Sequence, residues 1–389
     1  MAHAILSPSG ASRWLACTPS ARLESTFPDQ AGLAAREGTL AHTLGELLIR
    51  RDNDWVTPPK FDKQLALIKA DKLYQNEMMA YCEDYAAYIM EKFAAAKMHT
   101  ADAQLLLEQR VDLTDFIKEG FGTTDANIIA DHTLDITDLK YGKGVPVSAV
   151  ENKQMMIYAL GSLKAFGHLY DIQVVRMTIY QPRIQNISSW EISVTDLLAW
   201  AETELRPKAA LAFTGEGDFL PGKHCQFCRA RAVCKTNAAF NLEIEEYERR
   251  ESDLLSDSDI ADILGRAEAL EKWLKAVKDH ALQQAVAGKS YPGYKLVEGR
   301  SVRKYADEAA VEKRLRDNGF TDAQIFKPLE LLGITALQGE LGKKQFEQLL
   351  SPLIIKPAGK PVLVPSSDKR PELNNLEAAV RDFDDGFED

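Results

Sequence analysis

Apolar residues recur at helical spacing through two long stretches of the N-terminal third, 30–51 and 74–97, and each reads as a helix with one apolar face. A shorter stretch ahead of them, 7–17, reads as a capped helix carrying Trp14. The period then changes. Residues 104–111 read as a strand, and in Ile128-Ile-Ala-Asp-His-Thr-Leu-Asp-Ile136 β-branched and apolar positions flank a short polar break, the pattern of a β-hairpin. A helix at about 149–166, strands at 173–180 and 188–194, and a helix running to about 211 follow. This alternation predicts an α/β (α+β) fold, a mixed central sheet flanked by helices.

Beyond about residue 240 the character shifts. Residues 260–286 form a long helical pattern rich in Ala, Leu, Glu and Lys, broken by Gly288-Lys-Ser-Tyr-Pro-Gly293. A hairpin is expected at 294–305, turning at Glu298-Gly299, with helices at 307–318 and around 343–350. Prolines at 352, 357, 361, 365 and 371 mark an extended linker, and 381–389 is an acidic tail with five acids and one base. The expected organisation is a core over 1–240, a helical and hairpin extension over 241–350, and a linker with tail over 351–389.

The hairpin carries the first chemistry. Asp125 ends Gly122-Thr-Thr-Asp125 and Asp138 opens Asp138-Leu139-Lys140, so a hairpin between them brings two carboxylates to one end of a sheet, with Lys140 on the face of Asp138. Two carboxylates and a fixed cation suit a hard divalent ion and attack on a phosphodiester. Glu108, on the strand before, either faces that site or is a surface carboxylate. Upstream, His42 and Glu46 share a helix face at i, i+4; downstream, Gln154 and Tyr158 do the same. Five cysteines are present: Cys17 near the N-terminus, Cys82 in an amphipathic helical stretch where it reads as a core thiol, and the cluster Cys225-x2-Cys228-x5-Cys234.

In this order, a helix with His42, a strand with G-x-x-D, a strand with D-x-K and a helix with Q-x-x-x-Y, the chain resembles the RecB-like branch of the PD-(D/E)XK nuclease superfamily. One cysteine before that core and three after it resembles the iron-sulfur members, the AddB type and the CRISPR-associated RecB-like exonucleases. The resemblance implies a PD-(D/E)XK nuclease core. It implies Mg2+ or Mn2+ held by His42, Asp125, Asp138 and the carbonyl of Leu139, with Lys140 orienting or deprotonating the attacking water. Gln154 and Tyr158 would position the backbone or stack on a base. Cys17, Cys225, Cys228 and Cys234 would hold a 4Fe-4S cluster, with a local zinc site through His224 as the alternative. The implied activity is that of a DNA exonuclease on single strands or ends in phage recombination or replication, with a recombination or single-strand-binding protein as a further partner. The segment 294–305 and the proline-rich end resemble phage- and prophage-encoded proteins of this type.

Composition tempers this picture without replacing it. Apolar residues make up 45% and charged residues 27%, as in ordinary globular proteins, and no run is long enough for a membrane helix. With no signal-peptide pattern at the N-terminus, the expected location is the cytoplasm, the host's if the gene is phage-encoded, with no membrane partner. Reducing conditions there agree with cysteines used as metal ligands. The net charge of −11 opposes a nucleic-acid partner unless the positive charge is local, and 221–235 does hold four basic residues and no acid. No G-x-x-x-x-G-K-[ST] loop occurs, so unwinding would need a separate motor. Two other classes stay open: an inactive nuclease fold serving as a DNA-binding scaffold, and a zinc-stapled interaction protein.

Overall fold

A computed structural model describes residues 4–28, 32–144, 146–242 and 256–295, with isolated positions up to 348. The chain divides into two compact units, 1–289 and 290–389, and the following concerns the first. The sequence expectations for 294–305, 307–318, 343–350, 351–375 and 381–389 lie wholly or mostly outside the described residues.

A five-stranded mixed sheet organises this unit, with strands in the order of the chain: β1 (Gln104–Asp112), β2 (Phe121–Ala130), β3 (Thr133–Leu139), β4 (Val174–Gln181) and β5 (Asn186–Ser193). All neighbours are antiparallel except β3 and β4, which run parallel. The β2–β3 turn is the expected Asp131-His132, with His132 in the left-handed region at φ 65° that so tight a turn requires. A parallel pair needs a crossover, and the helix α6 (Lys153–Phe166) supplies it.

Helices cover both faces. Short α1 (Ala11–Trp14) and α2 (Ser20–Ser25) open the chain, followed by α3 (Leu33–Asp52), α4 (Pro58–Lys69) and α5 (Asn76–His99). Leu44, Leu48, Ile89 and Phe93 of α3 and α5 pack with Leu105, Leu107, Ile128 and Tyr180 on one face. The opposite face packs Val111, Ile129, Ile136 and Met177 against Met155, Ile157 and Leu160 of α6. Approach there is close: a Cβ on Gly161 would stand 2.7 Å from that of Val111. After β5 come α7 (Val194–Trp200), a π turn at Ala201–Leu205, α8 (Arg206–Thr214), α9 (Lys235–Leu242) and the 30-residue α10 (Asp257–Val286).

Within the described residues the expected elements are present, with revised edges. The helix expected from 149 begins at Lys153, because the Asn152 side chain caps it by accepting from the amides of Gln154 and Met155. Ser7 makes no such cap; Pro8 opens a 3-10 turn and the Trp14 indole donates to the Ser7 carbonyl instead. α2 and α4 were not legible as separate elements, and the single helix expected up to 211 is interrupted by the π turn. No helix among the described residues is long and apolar enough to cross a membrane.

Candidate metal centre and cysteine cavity

β1 departs from the two-residue alternation of a strand at one place. Leu105 and Leu107 face α3 and α5, so Val111 should as well, yet Val111 packs on the α6 side with Leu106. The switch occurs at Glu108, whose φ is 50°. Leu107 pairs with Ala126 and Gln109 with Thr124, so Glu108 stands opposite Asp125, the one position the ladder skips. The register is kept and the faces exchange. Both carboxylates thereby point towards α3, where His42 waits.

His42 Nδ1 lies 3.2 Å from Asp125 Oδ1. One ligand atom each from His42, Glu108 and Asp125 falls within 4.8 Å of the others, as a metal site requires. These three, with Glu46, Tyr85 and Leu139, line a cavity of about 10 Å3, room for one small ion or water. The other oxygen of Asp125, Oδ2, accepts from the amide of Leu139 at 2.7 Å, which ties β2 to the D-x-K strand.

Asp138 is 3% exposed. Its Oδ1 accepts from Gln154 Nε2 at 3.1 Å, and Oδ2 pairs with Lys140 Nζ at 2.8 Å. Lys140 Nζ donates to Gln154 Oε1 at 3.2 Å, and Gln154 Nε2 also donates to the Tyr158 hydroxyl at 3.2 Å. Gln154, in the first turn of α6, therefore joins acid, lysine and tyrosine.

The titration of these groups reports the crowding of negative charge. Burial, then the facing Asp125, push Glu108 up to about 7. Burial also raises Asp138, against the pull of Lys140. Burial alone would lower His42, but Asp125 beside it outweighs that and holds the imidazolium to about 9. Asp125 stays low despite its burial because His42 faces it. For Lys140 too, burial acts downward and Asp138 more than compensates, so the amine remains charged.

The sequence-derived residues His42, Asp125, Asp138, Leu139, Lys140, Gln154 and Tyr158 all meet here. Tyr158 is 8% exposed and its hydroxyl accepts from Gln154, which leaves little of the ring open for stacking on a base and more for positioning. Gly122 of the G-x-x-D motif stands against this ring: a Cβ would sit 2.8 Å from the tyrosine ring and 2.9 Å from Pro8. Glu108 is the member whose role the sequence left undecided, and a lone glutamate on a strand carries no signal of a reversed face.

The four remaining cysteines of interest come together elsewhere in this unit. Cys17, Cys225, Cys228 and Cys234 line one cavity of about 20 Å3, along with Arg13 and His224. Protein contacts hold the two segments in place: Thr18 donates to the Glu216 carbonyl at 2.6 Å, and Glu24 accepts from Arg13 at 2.6 Å and from the Arg229 amide at 2.8 Å. All four are free thiols. Burial raises Cys17, Cys225 and Cys228, the last to about 12, so binding a metal there must release protons. Among the described residues no three cysteine sulfurs come within 4.8 Å of one another. His224 Nε2 lies 2.9 Å from the Leu220 carbonyl. Cys82 is apart from them, buried in α5 with its thiol towards the Ala41 carbonyl, as expected of a core thiol.

A family model described as "Protein of unknown function (DUF2800)" matches residues 3–371. Among solved structures, one titled "Crystal structure of SSO0001" aligns over 58% of this chain and 96% of its own, at 12% identity and a TM-score of 0.22, a likeness too slight to carry an argument.

Proposed function

The chain belongs to the DUF2800 family, whose function is unknown, and we propose for it the metal-dependent hydrolysis of DNA phosphodiester bonds. The observation that carries this reading is the set of contacts joining His42, Asp125, Asp138, Lys140 and Gln154 at one end of the β2–β3 hairpin. Helix, hairpin and α6 present these residues in the order of a RecB-like PD-(D/E)XK core, to which we assign the fold.

The donor set fits a hard cation. Carboxylate oxygens with one imidazole favour Mg2+ or Mn2+ over softer metals, and the raised acids are relieved by positive charge. His42, Glu108, Asp125 and Asp138 are the side chains that would hold it, with the Leu139 carbonyl as a further oxygen. When bound, such an ion polarises a phosphoryl oxygen. Lys140, held charged by Asp138 and aimed by Gln154, orients the attacking water and stabilises charge developing on phosphorus, rather than removing a proton. Tyr158 keeps Gln154 in place.

For the cysteine cavity we assign a 4Fe-4S cluster on Cys17, Cys225, Cys228 and Cys234. Four sulfurs around one cavity fit a thiolate-bound group. A local zinc site through His224, which lines the same cavity, is the alternative. We assign single strands or DNA ends as the substrate, with a phage recombination or single-strand-binding protein as partner.

The test is digestion of single-stranded and duplex DNA with Mg2+ or Mn2+, using protein purified without oxygen. Lys140→Ala should slow cleavage by about 100-fold or more while leaving folding and DNA binding in place. Cleavage by the variant at the parental rate would remove the D-x-K assignment, and a parent that binds DNA but cuts nothing with either ion would favour the inactive scaffold.

A further inference from the structure

Beside the cysteine cavity, with which it shares Cys225, Arg231 and Asn237, a groove of about 770 Å3 lies between α10 and the cysteine loop. One wall is the segment from Gly222 to Arg231 with α9, and the other is the middle of α10. Small residues of α10, Gly265, Ala269 and Ala276, leave the space open, and a Cβ on Gly265 would meet nothing within 4 Å. Two aromatic rings, Phe240 and Trp273, border it. The Arg266 guanidinium lies over the Phe240 ring at 5.3 Å. Trp273 is half-buried, and its indole N–H is fully buried with no acceptor among the described residues.

The charge of the groove opposes that of the chain. Against a net charge of −11 for the whole protein, the groove is lined by Lys223, Arg231, Arg266, Lys272 and Lys275 and by only two acids. Of these acids, Glu268 is paired with Lys272 on the next turn. Two of the basic residues, Lys223 and Arg231, come from the acid-free stretch 221–235. A concave site combining local positive charge with flat aromatic surface matches a chain that offers phosphates and π-faces together. An acidic peptide offers charge and, where it carries aromatic residues, rings, but not a regular run of phosphates with a base beside each.

We propose that this groove binds a single-stranded nucleic-acid segment, with Trp273 stacking on a base and Lys223, Arg231, Lys272 and Lys275 along the phosphates. The choice of polymer rests on the nuclease reading; the groove itself is distinct from the metal centre. It places the strand against the cysteine loop, so whatever the thiols bind also braces one wall of the groove.

The experiment measures binding of a labelled oligothymidylate to the full-length protein by anisotropy in EDTA, where no cleavage occurs and the outcome is independent of catalysis. Trp273→Ala should weaken binding by about tenfold, the effect of losing one stacked base. Gly265→Leu adds bulk to one wall of the groove where a Cβ meets nothing within 4 Å, and it improves helix propensity, so it should weaken binding in a protein at least as stable as the parent. Lys272→Glu should weaken binding and flatten its salt dependence. Parental affinity in the Gly265→Leu protein would overturn the proposal whatever the fate of the nuclease reading, and so would displacement of the DNA by polyglutamate at equal charge with Trp273→Ala indifferent. Conversely, a protein that cuts no DNA yet binds oligothymidylate more weakly in Gly265→Leu would retain the groove and lose the nuclease.

Discussion

Glu108→Gln has an effect on stability whose sign depends on whether the metal centre is filled. In the metal-free protein Glu108 is pushed up to about 7 from an ordinary 4.5, first by burial and then by the Asp125 charge opposite it. The folded protein therefore keeps a proton that the unfolded chain gives up as pH rises through that window. This contribution to stability is fully present below 4.5, declines through the window and is gone above about 7. Taken at face value, at 1.36 kcal/mol per pH unit, the difference amounts to about 3 kcal/mol. The side chain keeps part of its surface in water, which brings the figure down to about 1–2 kcal/mol. A neutral glutamine carries no such penalty, so in EDTA the variant should match the parent near about pH 5 and exceed its stability by that amount near about pH 7.5. His42 titrates higher, between 6.5 and about 9, where its pairing with Asp125 fades; Glu108 is the smallest of the charges that hold it up, so the variant keeps most of that shift. Adding Mg2+ should reverse the order, because the parent gains binding free energy through an oxygen the variant lacks. Urea denaturation at the two pH values, with EDTA and with Mg2+, measures all four stabilities. Equal stability of the two proteins in EDTA at both pH values would refute the crowding of charge at Glu108, and an equal gain from Mg2+ would remove it as a ligand.

Gly122→Ala should cost about 1–3 kcal/mol by overpacking Tyr158 and Pro8, and should lower cleavage through displacement of Gln154; a melting temperature equal to the parent's would show that the ring moves freely. Cys17→Ser should lower stability and cleavage together and bleach the broad visible absorption expected of the anaerobically purified parent, since it opens a closure spanning more than two hundred residues between Cys17 and Cys225. Metal analysis of the parent decides the cofactor: about one equivalent of zinc without iron would sink the cluster, and replacing His224 should then be the damaging change.

Much of the scaffold was legible because it is written in short windows. The helical spacing before residue 100, the polar break at Asp131-His132, and the two-residue step from Asp138 to Lys140 each lie within a few residues, and local geometry carries them unaltered into α3, α5, the hairpin and the acid-lysine pair. What only the tertiary structure decided involves register and distance. The exchange of faces at Glu108 is invisible in a sequence read at a strand's period, because it depends on a left-handed residue held by the opposing strand, yet it is what turns Glu108 and Asp125 towards His42. The burial of Tyr158 follows from how closely α6 meets β2 at Gly122, and leaves more of that side chain for positioning Gln154 than for stacking. Cys17 meets its partners across the whole core, and Trp273 faces the cysteine loop from a helix that reads in sequence only as long and charged. Contacts between distant segments carry no local period, so only the packed chain determines them.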